Sequence, residues 1–204
     1  MRPITLLLYA AIYLTNTAFG TVDTAKWDAA LQSWAQQLPQ DPSRAANALQ
    51  EWIAHPDTNR FPALTGQTHL LLGNSHYYRG RTASAVQHIQ RAVYWFEQAK
   101  DTLLLGKGYN NLGAIYRLQG AYDSALALYE KAALLKKQQR DWQGMIRTLT
   151  NMGNVYNQRG YPLTATNYYL KALRLSDSLM EVQSAATLRL NLGILAKEQY
   201  RQQD

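Results

Sequence analysis

Apolar residues recur every three to four positions in long stretches of this chain, which is the spacing of an amphipathic helix. From Lys107 to Gln119 the apolar residues are Leu112, Ile115, Tyr116 and Leu118, and from Tyr122 to Lys137 they are Ala125, Leu128, Tyr129 and Ala132. Each segment therefore has one apolar stripe. The pattern predicts two helices that bury these stripes against neighbouring elements.

A glycine separates the two predicted helices. It is Gly120, and Gly80 and Gly160 occupy the same place in the flanking sequence. Glycine adopts the left-handed backbone conformation that ends a helix without steric cost, so we expect it to form the turn of an antiparallel hairpin. Gly113 and Ala125 are expected to lie where the two helices approach most closely, because both side chains are small.

The same pattern repeats every 40 residues. The residues in register are Leu72-Gly73, Leu112-Gly113, Met152-Gly153 and Leu192-Gly193, then Ala85, Ala125 and Ala165, then Ile89, Tyr129 and Tyr169, and then Ala92, Ala132 and Ala172. A fixed period of this length predicts stacked hairpins, in which each unit covers the apolar stripe of its neighbour. We place an array over 61–204, with units at about 66–105, 106–145 and 146–185 and a partial unit at 186–204.

A degenerate unit precedes this array. Ala45 and Leu49 match the repeat positions of Ala85 and Ile89. The match predicts a degenerate N-terminal helical hairpin over residues 21–60.

Residues 1–20 have a different pattern. They contain Arg2, an apolar stretch from Ile4 to Leu14, and the small residues Ala18 and Gly20. This order is typical of a secretory signal peptide, and the apolar stretch is shorter than the roughly 20 residues that span a membrane. We therefore expect a signal peptide over 1–20, a mature chain beginning at Thr21, and export to the periplasm or the cell exterior, with membrane anchoring if the signal is not cleaved.

The repeated residues resemble the tetratricopeptide repeat. The second unit matches through Asn111-Leu112-Gly113, Tyr116, Gly120, Ala125, Tyr129 and Ala132, and the third through Asn151-Met152-Gly153, Tyr156, Gly160, Ala165, Tyr169 and Ala172. The first full unit departs from the pattern where His76 replaces the tyrosine. The resemblance implies an all-α, right-handed α-solenoid of antiparallel helix hairpins. A 40-residue unit is longer than the common unit of about 34 and is similar to those of peptide-binding adaptors and bacterial signalling proteins, including extracytoplasmic parts of sensor kinases.

Composition excludes several classes of protein. Hydrophobic residues make up 47% of the chain and charged residues 17%, which excludes a disordered polyelectrolyte. The chain has no cysteine, so it has neither disulfides nor a thiolate nucleophile. Its formal net charge of +7 favours acidic partners.

The sequence contains no constellation typical of catalysis. The four histidines are His55, His69, His76 and His88, and none has a carboxylate nearby in a metal-ligand spacing. We expect His76 to be a core ring in place of Tyr116 and Tyr156. The chain also lacks the HExxH and GxSxG motifs and a glycine-rich phosphate loop. These observations predict a protein that is not an enzyme, with no cofactor, no metal and no small-molecule substrate.

Tyrosine is abundant, which raises the question of base stacking. The chain has 14 tyrosines, but Tyr116, Tyr129, Tyr156 and Tyr169 all fall on periodic core positions. An exported protein is also separated from nucleic acid, so no nucleic-acid partner is expected.

One polar stripe recurs at the repeat period on the first helix of each hairpin. Its residues are Lys107, Asn111, Arg117, Arg147, Asn151, Asn154, Asn157 and Asn191. We expect this stripe to line the concave face and to bind a protein or peptide, because amides pair with a peptide backbone and cations favour acidic groups. It is similar to the asparagine ladder of long-repeat relatives. Two interpretations remain open, since each asparagine also has the option of bonding only to the neighbouring helix.

Two functions from different classes fit these observations. The first is an exported scaffold that binds extended or acidic segments of a protein. The second is the sensory or regulatory input domain of a larger signal-transduction protein, such as a sensor kinase or a transcriptional regulator. We also expect self-association through the apolar C-terminal helix, at about Ala185 to Tyr200, and we expect Lys136 to be exposed on the convex face.

Overall fold

The structure is a computed structural model that describes residues 23–54 and 58–201. The described residues form nine α-helices and one short 3-10 helix, Thr58–Arg60, and they contain no strand. The helices are α1 (Thr24–Gln37), α2 (Pro42–Ile53), α3 (Pro62–Tyr78), α4 (Thr82–Gln98), α5 (Thr102–Leu118), α6 (Tyr122–Gln138), α7 (Trp142–Gln158), α8 (Pro162–Ser178) and α9 (Val182–Arg201). The all-α prediction is confirmed. The predicted signal peptide, His55 and Asp204 lie outside the described residues.

The helices follow the period found in the sequence. Helices α3 and α4, α5 and α6, and α7 and α8 pack as three hairpins, and α9 packs against α8. The first helices start at residues 62, 102, 142 and 182, a few residues ahead of the boundaries that we placed at 66, 106, 146 and 186.

Two kinds of turn connect the helices. Within hairpins the turn residues Gly80, Gly120 and Gly160 have φ values of 70°, 75° and 78°, in the left-handed region where we expected glycine. Between units the left-handed residues are Lys100, Arg140 and Met180, with φ values of 54° to 56°. A side chain in this conformation costs about 1–2 kcal/mol, and sequence reasoning missed these turns because no glycine marks them.

Hydrogen bonds at the turns between units offset this strain. The N–H of Asp101 donates to the carbonyl oxygen of Phe96 at 3.0 Å, and the N–H of Asp141 donates to that of Lys136 at 2.9 Å. The same two aspartates then cap the next helices, since their carboxylates accept hydrogen bonds from the N–H groups of Leu104 and Gly144. Each turn therefore ends one unit and starts the next.

The core of each hairpin forms where a glycine of the first helix meets a large residue of the second. A Cβ built on Gly113 would lie 2.8 Å from Cε1 of Tyr129, and one on Gly153 would lie 2.5 Å from Cε1 of Tyr169. The alanines on either side of the large residue are 0% exposed in all three hairpins; they are Ala85, Ala92, Ala125, Ala132, Ala165 and Ala172. The recurring small residues are therefore needed for close helix packing.

The N-terminal helices cover the first full unit. The rings of Trp27 in α1 and Trp52 in α2 stack with centroids 5.3 Å apart. The Trp27 Nε1 donates a buried hydrogen bond of 3.1 Å to Oγ1 of Thr68 in α3. None of the helices in the described ranges is both long and apolar enough to cross a membrane.

Candidate functional site

The first helices α3, α5 and α7 lie next to one another. Helix α3 contacts α5, and α5 contacts α7, whereas no comparable contact joins α4 to α6 or α6 to α8 in the described residues. The stack therefore curves with the first helices on its inside. We call the polar stripe of eight residues predicted from the sequence the inner face.

The eight inner-face residues differ in exposure. Lys107 and Arg147 are exposed, at equivalent positions of α5 and α7. The other six are half-buried; they are Asn111, Arg117, Asn151, Asn154, Asn157 and Asn191. Each exposed cation stands four residues before an asparagine, and residues at that spacing share one side of a helix.

Two of the asparagines bond to the preceding first helix. Asn111 Nδ2 donates to Oδ1 of Asn74 at 3.0 Å, and Asn151 Nδ2 donates to Oδ1 of Asn110 at 3.3 Å. The same Asn110 oxygen also accepts from the hydroxyl of Thr148 at 3.1 Å. An amide has a second N–H and a carbonyl oxygen, so these bonds leave hydrogen-bonding capacity for a ligand.

Sequence reasoning did not include Asn74 and Asn110 in this network. Asn74 shares its repeat position with Asn154, so the 40-residue register contained a signal for it. Asn110 has no such signal, because only the packing of α5 against α7 brings it to Asn151.

Asn154 has a different role. Its Oδ1 accepts a 2.7 Å hydrogen bond from the hydroxyl of Tyr169, the residue that packs on Gly153. In the second unit Ala114 takes the place of Asn154, and the buried hydroxyl of Tyr129 has no hydrogen-bond partner. Burial raises the pKa of Tyr129 to about 12, although the nearby Arg117 guanidinium acts in the opposite direction.

Arg117 connects two units of the inner face. Its Nη1 donates to Oε1 of Gln158 in α7 at 3.1 Å. Its Nε is buried and has no hydrogen-bond partner. Arg117 thus supplies a cation at the C-terminal end of the α5 part of the stripe, and its guanidinium also lies near the hydroxyl of Tyr129.

From the sequence we expected Lys136 to be exposed on the convex face, but the structure shows that it is buried. It is 2% exposed, and its Nζ lies 3.3 Å from Oδ2 of Asp141 at the start of α7. The expectation was wrong because the turn between units places Asp141 against the end of α6. Burial lowers the pKa of Lys136 despite the attraction of Asp141, and the charges of Arg147 and Lys107 lower it further.

The inner face therefore has excess positive charge near the start of α7. Lys107 and Arg147 both act electrostatically on Lys136, and Asp141 is the carboxylate paired with Lys136. Three cations around one carboxylate attract acidic groups from solution.

Three histidines meet between α3 and α4. The Nδ1 atoms of His69 and His88 are 3.0 Å apart, and the rings of His76 and His88 stack. His76 is 6% exposed, which agrees with the core role predicted for it. Within residues 23–54 and 58–201, no three or more His, Asp or Glu side chains are grouped so that they would hold a metal ion.

Comparisons with known proteins agree on the fold. The tetratricopeptide repeat family profile matches residues 64–138. The apo form of RapI is 12% identical with a TM-score of 0.74, covering 94% of this chain and 69% of its own. A Rap protein complexed with competence and sporulation factor is 15% identical with a TM-score of 0.56, covering 87% and 54%.

A signalling protein contains a similar array. The signal transduction ATPase with numerous domains from Pyrococcus horikoshii, which has a tetratricopeptide repeat sensor, is 15% identical with a TM-score of 0.73. The match covers 97% of this chain and 32% of that one. No curated protein sequence matches this chain.

Proposed function

We propose that this chain, whose residues 64–138 match the tetratricopeptide repeat family profile, is a non-catalytic scaffold whose inner face binds an extended, acidic segment of a partner protein. The observation that carries the proposal is the repeated pairing of an exposed cation with a half-buried asparagine, Lys107 with Asn111 and Arg147 with Asn151. A carboxylate of the partner meets the cation, and the partner backbone meets the amide.

Two further observations support this proposal. Arg117 adds a cation near the C-terminal end of α5, where it bonds to Gln158 of α7, and Lys136 adds positive charge near the start of α7. A Rap protein of the same fold has been crystallised with competence and sporulation factor, so an array of this kind accommodates a ligand.

Binding of an acidic peptide tests the proposal. The probe is a set of fluorescent glutamate-rich peptides, each matched with a peptide that has glutamine in place of glutamate. The double variant Asn151→Ala and Arg147→Ala should weaken binding of the glutamate peptides by about tenfold or more, since it removes a hydrogen bond and a charged contact.

Controls distinguish a site from a general charge effect. Lys137 is exposed at the end of α6, so Lys137→Ala removes the same charge as Arg147→Ala without touching the inner face. Lys137→Ala should leave the affinity for the glutamate peptides within about twofold of the wild-type value. Equal binding of the glutamate and glutamine peptides would contradict the proposal. It would also be contradicted if Lys137→Ala weakened binding of the glutamate peptides as much as the double variant does.

A second function is favoured by the ATPase from Pyrococcus horikoshii. That signal transduction ATPase has a tetratricopeptide repeat sensor, and the match to the present chain covers 32% of it. By analogy, the present array is the input domain of a sensor kinase or a transcriptional regulator. Sequencing the gene downstream of the codon for Asp204 tests this, and a stop codon there would rule it out.

Export remains a proposal that rests on the sequence of residues 1–20. The apolar stretch from Ile4 to Leu14 and the small residues Ala18 and Gly20 support cleavage before Thr21. Intact-mass measurement on protein from the native host should find a chain that starts at Thr21. A mass that includes Met1 would mean that the segment is retained.

A further inference from the structure

The second and third units differ in how they pair the hydroxyl of their central tyrosine. In the third unit the hydroxyl of Tyr169 donates to Oδ1 of Asn154 at 2.7 Å. In the second unit the repeat register places Ala114 where the third unit has Asn154. Tyr129 is 0% exposed, and its hydroxyl has no hydrogen-bond partner among the described residues. The second unit therefore lacks the acceptor that the third unit carries on its own first helix.

The two tyrosine rings pack on their first helices in the same way. A Cβ built on Gly113 or on Gly153 would lie within 3 Å of the ring of Tyr129 or of Tyr169 respectively. Because the rings are placed alike, the amide that fills the space beside one hydroxyl has no counterpart beside the other. We call this space, bounded by Ala114, Arg117 and Tyr129, the hollow.

The hollow belongs to the inner face. Ala114 is half-buried, as is Asn154, the inner-face residue that it replaces. Tyr77 of α3 lies close enough to Tyr129 to act on it electrostatically, and Tyr77 is 38% exposed. A partly exposed side chain is free to turn toward solvent, so a ligand side chain reaches the hollow from the inner face once Tyr77 moves aside.

Arg117 gives the hollow a positive charge. Residues three apart share one side of a helix, so Arg117 stands beside Ala114, and its guanidinium lies near the hydroxyl of Tyr129. Among the described residues Arg117 belongs to no ion pair, and its hydrogen bond goes to the neutral side chain of Gln158.

The chemistry of these two groups defines the ligand. A guanidinium only donates hydrogen bonds, and a tyrosine hydroxyl that accepts from it still has its own proton to donate. Arg117 and Tyr129 therefore both require an acceptor, and the positive charge favours an acceptor that is an anion. A carboxylate meets both requirements, since it has two oxygens and no donor.

We propose that the hollow receives a glutamate side chain of the bound acidic segment, with one carboxylate oxygen accepting from the hydroxyl of Tyr129 and the other from the guanidinium of Arg117. This inference rests on the proposed function, because it takes the inner face as the binding surface. Lys107 stands about 15 Å away along α5, since a helix rises about 1.5 Å per residue, so it meets a different acidic residue of the segment. The third unit offers no such place, because Asn154 fills it.

Removal of one oxygen atom from the full 204-residue chain tests the proposal. Tyr129→Phe deletes the unpaired hydroxyl and keeps the ring that packs on Gly113. It should weaken binding of the fluorescent glutamate-rich peptides by about tenfold, because a hydrogen bond to a charged group is lost. It should not lower the melting temperature, because this hydroxyl bonds to nothing in the free protein.

The third unit supplies a matched control. Tyr169→Phe makes the same chemical change but removes the hydrogen bond to Asn154. It should lower the melting temperature and leave the affinity for the glutamate peptides within about twofold of the wild-type value. The two variants thus have opposite effects on stability and on binding.

A second variant fills the hollow without changing the charge of the protein. Ala114→Asn supplies the acceptor that Asn154 provides in the third unit, and it occupies the space of the ligand carboxylate. It should weaken binding of the glutamate peptides by about tenfold while the melting temperature is maintained. Binding of the glutamine peptides should change by at most about threefold in Tyr129→Phe, because a hydrogen bond to a neutral acceptor contributes less.

Several results would overturn the inference. They are wild-type affinity in Tyr129→Phe or Ala114→Asn, equal weakening by Tyr129→Phe and Tyr169→Phe, and equal weakening of the glutamate and glutamine peptides by Tyr129→Phe. If the double variant Asn151→Ala and Arg147→Ala still weakened binding in those cases, the proposed function would stand and only the hollow would be wrong. If no glutamate peptide bound more tightly than its glutamine counterpart, both would be wrong.

Discussion

The ring of His76 stacks on the ring of His88, with centroids 5.2 Å apart and planes within 12° of parallel. Tyr156 and Tyr168 stand 80 residues later at the same two repeat positions, and their rings also stack at 5.2 Å, within 10° of parallel. The first full unit thus makes with histidines a contact that the third unit makes with tyrosines. Only the histidines titrate near neutral pH, so the two units should respond differently to acid.

We predict that acid destabilises the protein through the histidine cluster. Burial, together with the smaller effect of neighbouring positive charges that include Arg91, lowers the pKa of His69 and of His88 to about 4. The unfolded chain binds protons from about pH 6.5 downward and the folded chain only near pH 4, so stability is lost as the pH falls through that window. Denaturant titrations at about pH 6.5 and about pH 4 should show that the free energy of unfolding is lower by about 3 kcal/mol at the lower pH.

The third unit supplies the control for this prediction. The triple variant His69→Leu, His76→Tyr and His88→Tyr places the side chains of Leu149, Tyr156 and Tyr168 into the first unit. It should unfold with a much smaller dependence on pH between 6.5 and 4. An unchanged pH dependence would mean that other groups cause the acid sensitivity.

One substitution should have opposite effects at two equivalent glycines. Gly153→Ala places a Cβ 2.5 Å from the ring of Tyr169 and should lower the free energy of unfolding by about 1–3 kcal/mol. Gly193→Ala meets no atom within 4 Å and should raise it by about 1 kcal/mol, through helix propensity alone. Denaturant unfolding of dilute protein measures both, and a loss of stability at Gly193 would show that its surface is already covered in the monomer.

The unpaired hydroxyl of Tyr129 predicts a stabilising change. Ala114→Asn introduces the residue that accepts the hydrogen bond of Tyr169 in the third unit, so it should add about 1 kcal/mol to the free energy of unfolding. Asn154→Ala should cost a similar amount by removing that bond. If Ala114→Asn were destabilising, the space beside Tyr129 would differ from that beside Tyr169.

Lys136→Ala is expected to destabilise the fold. The substitution removes a buried stem and the ion pair with Asp141, which caps α7, and should cost about 2 kcal/mol. Its exposed neighbour provides the comparison, since Lys137→Ala should change thermal stability by less than about 0.5 kcal/mol. Equal melting temperatures for the two variants would contradict this assignment.

The sequence by itself determined the repeat, the helix hairpins and the glycine turns. These features depend on local spacing and on the backbone freedom of glycine, so they are readable at Gly80, Gly120 and Gly160 without any knowledge of distant contacts. The left-handed turns at Lys100, Arg140 and Met180 were not readable, because no glycine marks them and the hydrogen bonds that close them join backbone groups, which every residue type has.

The tertiary structure alone decided which polar side chains are paired. Helical periodicity places Asn111 and Asn151 on one side of their helices, but only the packing of first helix against first helix brings them to Asn74 and Asn110. Lys136 has the sequence context of an exposed residue and is nevertheless buried, since the turn folds Asp141 back onto it. The apolar pattern of α9 predicted a surface in need of a partner, and only the empty space over Gly193 showed where that surface lies, because burial depends on the neighbouring unit and not on the helix itself.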